Sequence, residues 1–211
     1  MVLTAARPVE FEHAADYRHE IMARVDRVRF LAVPERRYLM VDGTDAPGSP
    51  SYTDAIGALY PVAYTLHFAL KQRGVTAPIG TLQGLYTLDP RGATNPGTPV
   101  EWSWTLMLPV PDEAADDDVT AAIADVASRK GPELVAGLRC ENWEEGLAAQ
   151  IMHIGPYDAE EATSERLHEA IAGAGLRPHG RHHEIYISDP GRTAPERLKT
   201  VIRQPVAVMD R

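Results

Sequence analysis

Apolar residues along this chain alternate with polar ones in some segments and recur at helical spacing in others. The segment 29–41 (RFLAVPERRYLMV) is rich in apolar residues and ends at a turn, which predicts one strand. Segments 78–89 and 100–110 show the same character and are joined by the turn-rich segment 90–99. They predict two further strands after an intervening helix.

The helix between these strands has a recognisable beginning and end. Ser51 followed three residues later by Asp54 resembles a capping box, and apolar residues then recur at helical spacing until Gly74. Pro61 falls inside this span and predicts a kink. The first part of the chain therefore has the order strand, helix, strand, strand.

The same order recurs towards the carboxyl terminus. Segment 146–157 reads as a strand, Asp158 with Glu161 predicts the start of a helix, and segments 182–190 and 197–206 read as two strands. The repetition predicts an α+β fold of tandem duplicated strand-helix-strand-strand (SHS2) modules, with antiparallel sheets around a central cleft.

A short sequence motif that occurs in both modules supports the duplication. Tyr86 and Asp89 hold the places in GLYTLD that Tyr186 and Asp189 hold in EIYISD, although two unrelated αβ units could share this wording by chance. We expect one domain over residues 1–211, with modules at about 29–109 and 147–206 and a linking segment at about 112–141. The linking segment reads as a short amphipathic helix, 118–129, and an extra strand, 134–141.

Composition narrows the class of partner. The chain has 211 residues, 44% hydrophobic and 24% charged, with a formal net charge of -9, so its average field repels phosphate backbones and anionic membranes. We expect neither nucleic acid nor membrane as a partner. Cys140 is the only cysteine, and the amino terminus lacks the apolar core of a signal peptide. These features indicate a cytoplasmic protein.

The segment 182–190 (HHEIYISDP) carries the most informative polar pattern. Strand alternation divides its side chains into two faces, with Ile185 and Ile187 on one and His182, Glu184, Tyr186 and Ser188 on the other. If the isoleucine face packs on helices, the face that carries Glu184 lines either solvent or a cavity. The pattern fits a half-exposed strand with a solvated carboxylate equally well.

Aromatic residues form the second group of candidates. Trp102 and Trp104 alternate on one strand face and predict one wall of an aromatic ligand site, while core packing explains either residue taken singly. Further aromatic surface is predicted near the ends of strands and helices, from Tyr52, Tyr64, Tyr86 and Tyr157.

Other catalytic patterns are absent from the sequence. It has no nucleophile elbow, no phosphate-cradling glycine loop and no dinucleotide fingerprint, so we expect no cofactor. His179, His182 and His183 cluster in sequence, but the last two alternate across a strand and no complete ligand set accompanies them. We therefore expect no metal site, and Cys140 reads as a strand thiol.

Four stretches resemble the GyrI-like family, which binds small molecules in a groove between two strand-helix-strand-strand modules. They lie within residues 33–206, and they are 37–43 (RYLMVDG), 150–157 (QIMHIGPY), 182–190 (HHEIYISDP) and 195–206 (PERLKTVIRQPV). These stretches are also similar in sequence to a subfamily of stand-alone GyrI-like proteins, the cyclopropanoid cyclopropyl hydrolases. Those enzymes open the strained ring of DNA-alkylating natural products inside an aromatic cage. The ligand implied is a hydrophobic aromatic small molecule.

The resemblance assigns roles to individual residues. Glu184 matches the family's central glutamate and would orient or deprotonate a water, with Tyr186 as a hydrogen-bond donor. Trp102, Trp104 and Tyr157, with Tyr86, would grip the ring system. One departure is visible at 82–86, where this chain reads LQGLY and relatives tend to read LEGLW.

A second reading stays open from the same residues. The chain would then be a non-catalytic module that binds or sequesters hydrophobic or cationic drugs, with Glu184 as the counter-charge. A ligand-sensing half of a transcription regulator is disfavoured, since about thirty residues before the first strand are too few for a DNA-binding helical domain. Formation of a hydrolysed product distinguishes a hydrolase from a non-catalytic binding module.

Overall fold

The computed structural model describes residues 9–88 and 102–209. The chain divides into two compact units, residues 1–35 with 144–211 (the split unit) and residues 36–143 (the inserted unit). The predicted turn segment 90–99 lies outside the described residues. So does Asp89, the aspartate of the first copy of the repeated Tyr-Asp motif.

The split unit contains an antiparallel sheet extended by one short parallel strand. Its strand order is β1-β2-β7-β10-β9, with β8 also paired to β10 and only β1 and β2 parallel. Its elements are β1 (Glu12–His13), α1 (Tyr17–Glu20), β2 (Arg29–Val33), β7 (Gly146–Ile154), α4 (Glu161–Gly173), β8 (Leu176–Pro178), β9 (His182–Tyr186) and β10 (Lys199–Val208), with 3-10 turns at Tyr157–Ala159 and Pro195–Arg197.

The inserted unit contains a fully antiparallel sheet of order β4-β5-β3-β6. Its elements are β3 (Arg36–Gly43), α2 (Pro50–Gln72), β4 (Gln83–Leu88), β5 (Trp102–Pro109), α3 (Asp116–Lys130) and β6 (Arg139–Trp143), with a 3-10 turn at Pro132–Val135. The predicted α+β class with antiparallel sheets is confirmed.

The predicted strand 29–41 is wrong as a single element. It is two strands, β2 and β3, separated at Pro34-Glu35 and belonging to different units. Proline has no backbone N–H to donate to a ladder, so it interrupts the pairing at this point. Because the residues on both sides of Pro34-Glu35 are rich in apolar side chains, the sequence pattern predicted one continuous strand.

Both predicted helix starts are displaced. The N-cap of α2 is Ser49, whose Oγ accepts a hydrogen bond from the Tyr52 N–H at 3.3 Å, while the Ser51 hydroxyl donates to Asp45 at 2.7 Å. The helix ends before Gly74, as predicted, where a φ of 80° suits glycine.

The helix predicted from Asp158 begins later. A 3-10 turn occupies Tyr157–Ala159, and α4 starts at Glu161 without a side-chain cap. The linking helix is confirmed as α3, but the strand predicted over 134–141 is a 3-10 turn followed by β6.

Each unit buries one face of its main helix against its sheet. Leu167 and Ile171 of α4 pack with Ile151 of β7 and Ile202 of β10, and all four are fully buried. In the inserted unit, α2 contacts β3 and β5 through its buried apolar stripe. Burial of a large aliphatic side chain contributes about 1.5–3 kcal/mol, so these faces hold the helices in place.

The opposite face of the split-unit sheet buries a charged network around Arg203 of β10. Its guanidinium donates to Glu145 at 2.8 Å, to Glu20 at 3.3 Å and to Gln150 at 2.7 Å. Glu145 also contacts His183 Nδ1 at 2.8 Å. Burial by itself would raise the pKa of Glu145, but His183 and Arg203 lower it to about 2. The network fixes β9 to β10.

Within the described residues, no helix is long and apolar enough to cross a bilayer.

Candidate functional site

The face of β9 that carries Glu184 is the face on which α4 packs. Glu184 aligns with Ile202 of β10, which aligns with Ile151 of β7, and both isoleucines belong to the core beneath α4. Side chains at aligned positions of adjacent strands share a face. The Ile185 face carries the buried charged network, which includes Glu20 of α1, so both faces of β9 meet helices.

Tertiary contacts decide what covers each face of β9. Alternation sorts side chains into two faces but leaves open which face meets a helix, and here the polar groups of the other face are paired. Ile187 and Ser188 lie beyond the end of β9; Ile187 is exposed, and the Ser188 hydroxyl accepts from the Lys199 N–H at 3.1 Å. The predicted polar face is thus shortened to His182, Glu184 and Tyr186.

Glu184 lies in an acid cluster, defined here as Glu160, His182 and Glu184. His182 Nε2 is 3.3 Å from Glu184 Oε1, and one donor atom from each of the three residues lies within 4.8 Å of the others. The side chains of His182 and Glu184 are 30% and 18% exposed, whereas Glu160 is 8% exposed as a residue. The cluster is open to solvent on its β9 side and closed on its α4 side.

Glu160 is the member that the sequence did not predict. It sits among other acids in the run 158–161 (DAEE), and no sequence signal separates it from Glu161. Burial and the negative charge of Glu184 raise the pKa of Glu160 to about 8. Near neutral pH the Glu160 carboxyl group is therefore mostly protonated.

Two tyrosines adjoin this cluster in the split unit and are called here the tyrosine pair. Tyr186 follows Glu184 on the same face of β9, and its ring meets that of Tyr157 edge to face, with centroids 5.7 Å apart. Tyr157 is 41% exposed. The structure thus brings three of the predicted site residues, Glu184, Tyr186 and Tyr157, onto one region of one unit.

The inserted unit holds a separate aromatic cluster of Tyr52, Tyr86, Trp102 and Trp104. Tyr52 meets the Trp104 indole edge to face at 5.1 Å, and its hydroxyl lies 2.7 Å from that of Tyr86. Tyr86 meets Trp102 edge to face at 6.3 Å. Edge-to-face contacts of this kind stabilise aromatic clusters by about 0.5–1.5 kcal/mol per pair.

The two tryptophans differ in their surroundings. Trp104 is 1% exposed, and its indole N–H donates to the Asp45 carbonyl at 2.7 Å, whereas Trp102 is half-buried. Tyr86 is also buried. Trp102 and Tyr52 therefore form the accessible part of the aromatic cluster, and Trp104 and Tyr86 form its base.

Tyr64 lies apart from this cluster. It is 50% exposed on α2, where its ring stacks on Phe68 with centroids 6.3 Å apart. It follows Tyr52 by twelve residues of helix, which separates them by about 18 Å along the axis at the usual rise per residue. Tyr64 belongs to an exposed aromatic stripe of the helix.

The remaining candidates from the sequence are the Cys140 thiol and the histidines at 182 and 183. Burial raises the pKa of the Cys140 thiol, which disfavours the reactive thiolate. His183 occupies the opposite face of β9 from His182, where it contacts Glu145. The predicted alternation of these two histidines is confirmed.

Comparison with known proteins identifies the class to which this architecture belongs. The GyrI-like small molecule binding domain matches residues 26–207. The chain belongs to the GyrI-like family, and it carries that family's small-molecule-binding domain.

Three solved structures from Listeria innocua are similar over nearly their whole length. An uncharacterized conserved protein shares 30% identity, with a TM-score of 0.78 over 88% of this chain and 94% of that chain. Two structures described as hydrolases share 29% and 28% identity, with TM-scores of 0.74 and 0.76. They cover 90% and 94% of this chain and 96% and 100% of their own. Comparison with curated proteins gives no match.

Proposed function

We propose that this protein is a hydrolase that binds a flat, hydrophobic electrophile and adds water to it. The proposed substrate is a strained cyclopropane of the type present in DNA-alkylating natural products, and its hydrolysis would protect the cell. The observation that carries the proposal is the half-buried Glu184 carboxylate next to the tyrosine pair. The two similar proteins described as hydrolases support an enzymatic activity.

In the proposed reaction, the main task of the protein is to position the substrate and the water. The water oxygen bonds to a cyclopropane carbon as a ring C–C bond breaks, and the released electron pair enters the conjugated system. The carbonyl oxygen of that system then takes up a proton and becomes a phenol. Strain relief and aromatisation supply the driving force, so a base and correct orientation are sufficient.

Glu184 is the proposed general base and Tyr186 the proposed hydrogen-bond donor to the water or the developing oxyanion. The Glu184 side chain is 18% exposed, so a water can reach it while most of its surroundings are protein. Tyr157 presents an exposed ring next to Tyr186 for contact with an aromatic substrate. Trp102, with Tyr52, is proposed as ligand-contacting aromatic surface of the inserted unit.

A non-catalytic binding protein is the second candidate. The observation that favours it is the combination of a carboxylate with the exposed ring of Tyr157, a pairing that attracts organic cations by charge and by cation–π contact. In this case Glu184 would act as the counter-charge and the ligand would leave unchanged.

Mass spectrometry of a cyclopropane-containing alkylator incubated with the purified protein distinguishes the two. Hydrolysis adds one water to the alkylator, whereas sequestration leaves its mass unchanged. For a general base, Glu184→Gln should lower turnover by roughly 10²–10⁴-fold and leave the affinity for neutral ligands nearly unchanged. For a counter-charge, the same variant should weaken the binding of cationic ligands alone.

Glu196→Gln is the matched control, because its side chain is 73% exposed and its ion pair with the neighbouring Arg197 is long, at 3.9 Å. It should behave as the wild type in both assays. A Glu184→Gln protein that turns over and binds like the wild type would show that this carboxylate has no part in function.

A further inference from the structure

Six residues of α2 recur at the alternating three- and four-residue spacing that a helix uses to pack against a second helix. At the helical period they fall on the side opposite the buried stripe of α2. We call this set the outer seam, and its members are Asp54, Gly57, Pro61, Tyr64, Phe68 and Lys71. All are exposed except Pro61, which is half-buried. In heptad terms they occupy alternate a and d positions.

The middle of the outer seam is aromatic and open to solvent. Tyr64 and Phe68 are 50% and 53% exposed, and their rings stack with centroids 6.3 Å apart. Stacking holds the two rings side by side on the helix surface and leaves much of each ring in water. Covering such a pair removes a large apolar surface from water, so this part of α2 favours contact with another surface.

Gly57 gives the outer seam a hollow next to these rings. A Cβ added to Gly57 would meet no atom of the described residues within 4 Å, apart from the backbone of its own helix. Phe68 follows Gly57 by eleven residues, which separates them by about 16–17 Å along the axis at the usual rise. The Phe68 ring of the same chain therefore cannot fill the hollow, but a ring presented by another helix can.

Two antiparallel copies of α2 fit these features to one another. A two-fold axis midway between Pro61 and Tyr64 brings each residue opposite the one that lies equally far on the other side of the axis. Phe68 then lies opposite Gly57 of the second copy, and Tyr64 lies opposite Pro61. Each of these pairs joins an a position to a d position, so the side chains of one seam enter the gaps of the other.

The same axis gives complementary charges at both ends of the outer seam. Asp54 lies opposite Lys71 of the second copy, and symmetry repeats this pair at the other end. A parallel arrangement would instead place Asp54 next to Asp54 and Lys71 next to Lys71, which is destabilising. Charge at the ends of the seam therefore selects the antiparallel arrangement.

We propose that this protein forms a homodimer through the outer seam, with the α2 helices of the two copies antiparallel. A second copy is the partner because the seam is complementary to itself in both shape and charge. The seam extends over about 26 Å of helix at the usual rise per residue. A contact between two single helices is small for a protein interface, so the dimer dissociates on dilution.

Sedimentation equilibrium of the full chain over a range of concentrations measures this association. We expect a monomer–dimer equilibrium for the wild type. Phe68→Glu should weaken it by at least about thirtyfold, because each dimer contains the Phe68–Gly57 contact twice. Met22→Glu changes a 55% exposed apolar side chain of the split unit and should associate like the wild type. Far-UV circular dichroism establishes that each variant is folded.

Gly57→Leu separates loss of association from loss of folding. The added side chain meets open space in the single chain, and leucine favours a helix more than glycine does. The variant should therefore be at least as stable as the wild type. In the dimer the leucine would occupy the place of the Phe68 ring, so association should weaken by at least about tenfold.

Charge reversal tests the antiparallel geometry. Asp54→Lys and Lys71→Asp should each weaken self-association roughly tenfold, because each replaces both ion pairs of the dimer with like-charge contacts. An equimolar mixture of the two variants should associate like the wild type, since the mixed dimer has opposite charges at both ends. General repulsion between chains of net charge -9 would give a different result, because Asp54→Lys would then strengthen association.

Three results overturn the proposal. The first is a wild type that stays monomeric at every concentration. The second is a Phe68→Glu or Gly57→Leu protein that associates like the wild type. The third is a pair of charge-reversal variants that associate normally on their own, or whose mixture associates no more strongly than either variant does alone.

Discussion

Glu145→Gln should be among the most destabilising conservative substitutions in this protein. The Glu145 side chain is fully buried, accepts from Arg203 at 2.8 Å and contacts His183 at 2.8 Å. Glutamine keeps the size of the side chain but removes the charge, so Arg203 loses the carboxylate at 2.8 Å and keeps the longer ion pair with Glu20 at 3.3 Å. An uncompensated buried charge is costly even where the original pair gave little net stabilisation.

The magnitude follows from the pKa of Glu145, which falls from an ordinary value of 4.5 to about 2 on folding. At about 1.4 kcal/mol per unit, the ionised side chain contributes about 3 kcal/mol to the free energy of unfolding at pH 7. The folded pKa is the lower one, so the contribution is complete above the unfolded pKa and is lost as the pH falls through 2. At pH 3 it should have decreased to about 1 kcal/mol.

Urea unfolding followed by circular dichroism at pH 7 and pH 3 measures this difference. We expect Glu145→Gln to lose about 3 kcal/mol at pH 7 and a clearly smaller amount at pH 3. Glu144→Gln changes an exposed neighbour in the same way and should stay within about 0.5 kcal/mol of the wild type. Equal losses at both pH values, or a loss at pH 7 no larger than that of Glu144→Gln, would refute the reasoning.

Three further predictions concern the aromatic cluster of the inserted unit. Trp104→Ala should reduce stability by about 3–5 kcal/mol in urea unfolding, since it empties a fully buried site. Trp102→Ala should instead weaken the binding of flat aromatic ligands by about 1–3 kcal/mol, measured by fluorescence quenching, and unchanged affinity would remove Trp102 from the ligand surface. Gly43→Ala should cost about 1–3 kcal/mol, because its Cβ would lie 2.1 Å from the Trp104 ring, and a variant with wild-type stability would contradict this packing.

Much of the local structure could be predicted from the chain, because helices and strands depend on periodicities that neighbouring residues set. The helix ending before Gly74 and the strand carrying His182, Glu184 and Tyr186 follow from spacing alone. The errors fall at boundaries. Ser49 and not Ser51 caps α2, and Pro34 divides one predicted strand between two units, since several residues in each segment satisfy the same local rule.

The candidate site could be predicted only in part. Sequence and resemblance selected Glu184, Tyr186 and Tyr157, and the structure brings these three together in the split unit. Trp102 and Trp104 share a strand face as predicted, yet one is half-buried and the other is interior. Alternation assigns a face to a side chain and says nothing of how deeply that face is covered.

The sequence by itself determined the α+β class, the presence of the three long helices and the alternation of His182 and His183, since these depend on contacts between near neighbours. The tertiary structure alone decided that Glu160 meets Glu184 and that the face bearing Glu184 packs on α4. Glu160 and Glu184 are separated along the chain by α4 and β8, and the docking of α4 onto β7 and β10 brings their carboxyl groups together. Proximity of this kind depends on which faces bury together, and that choice is made by the whole core.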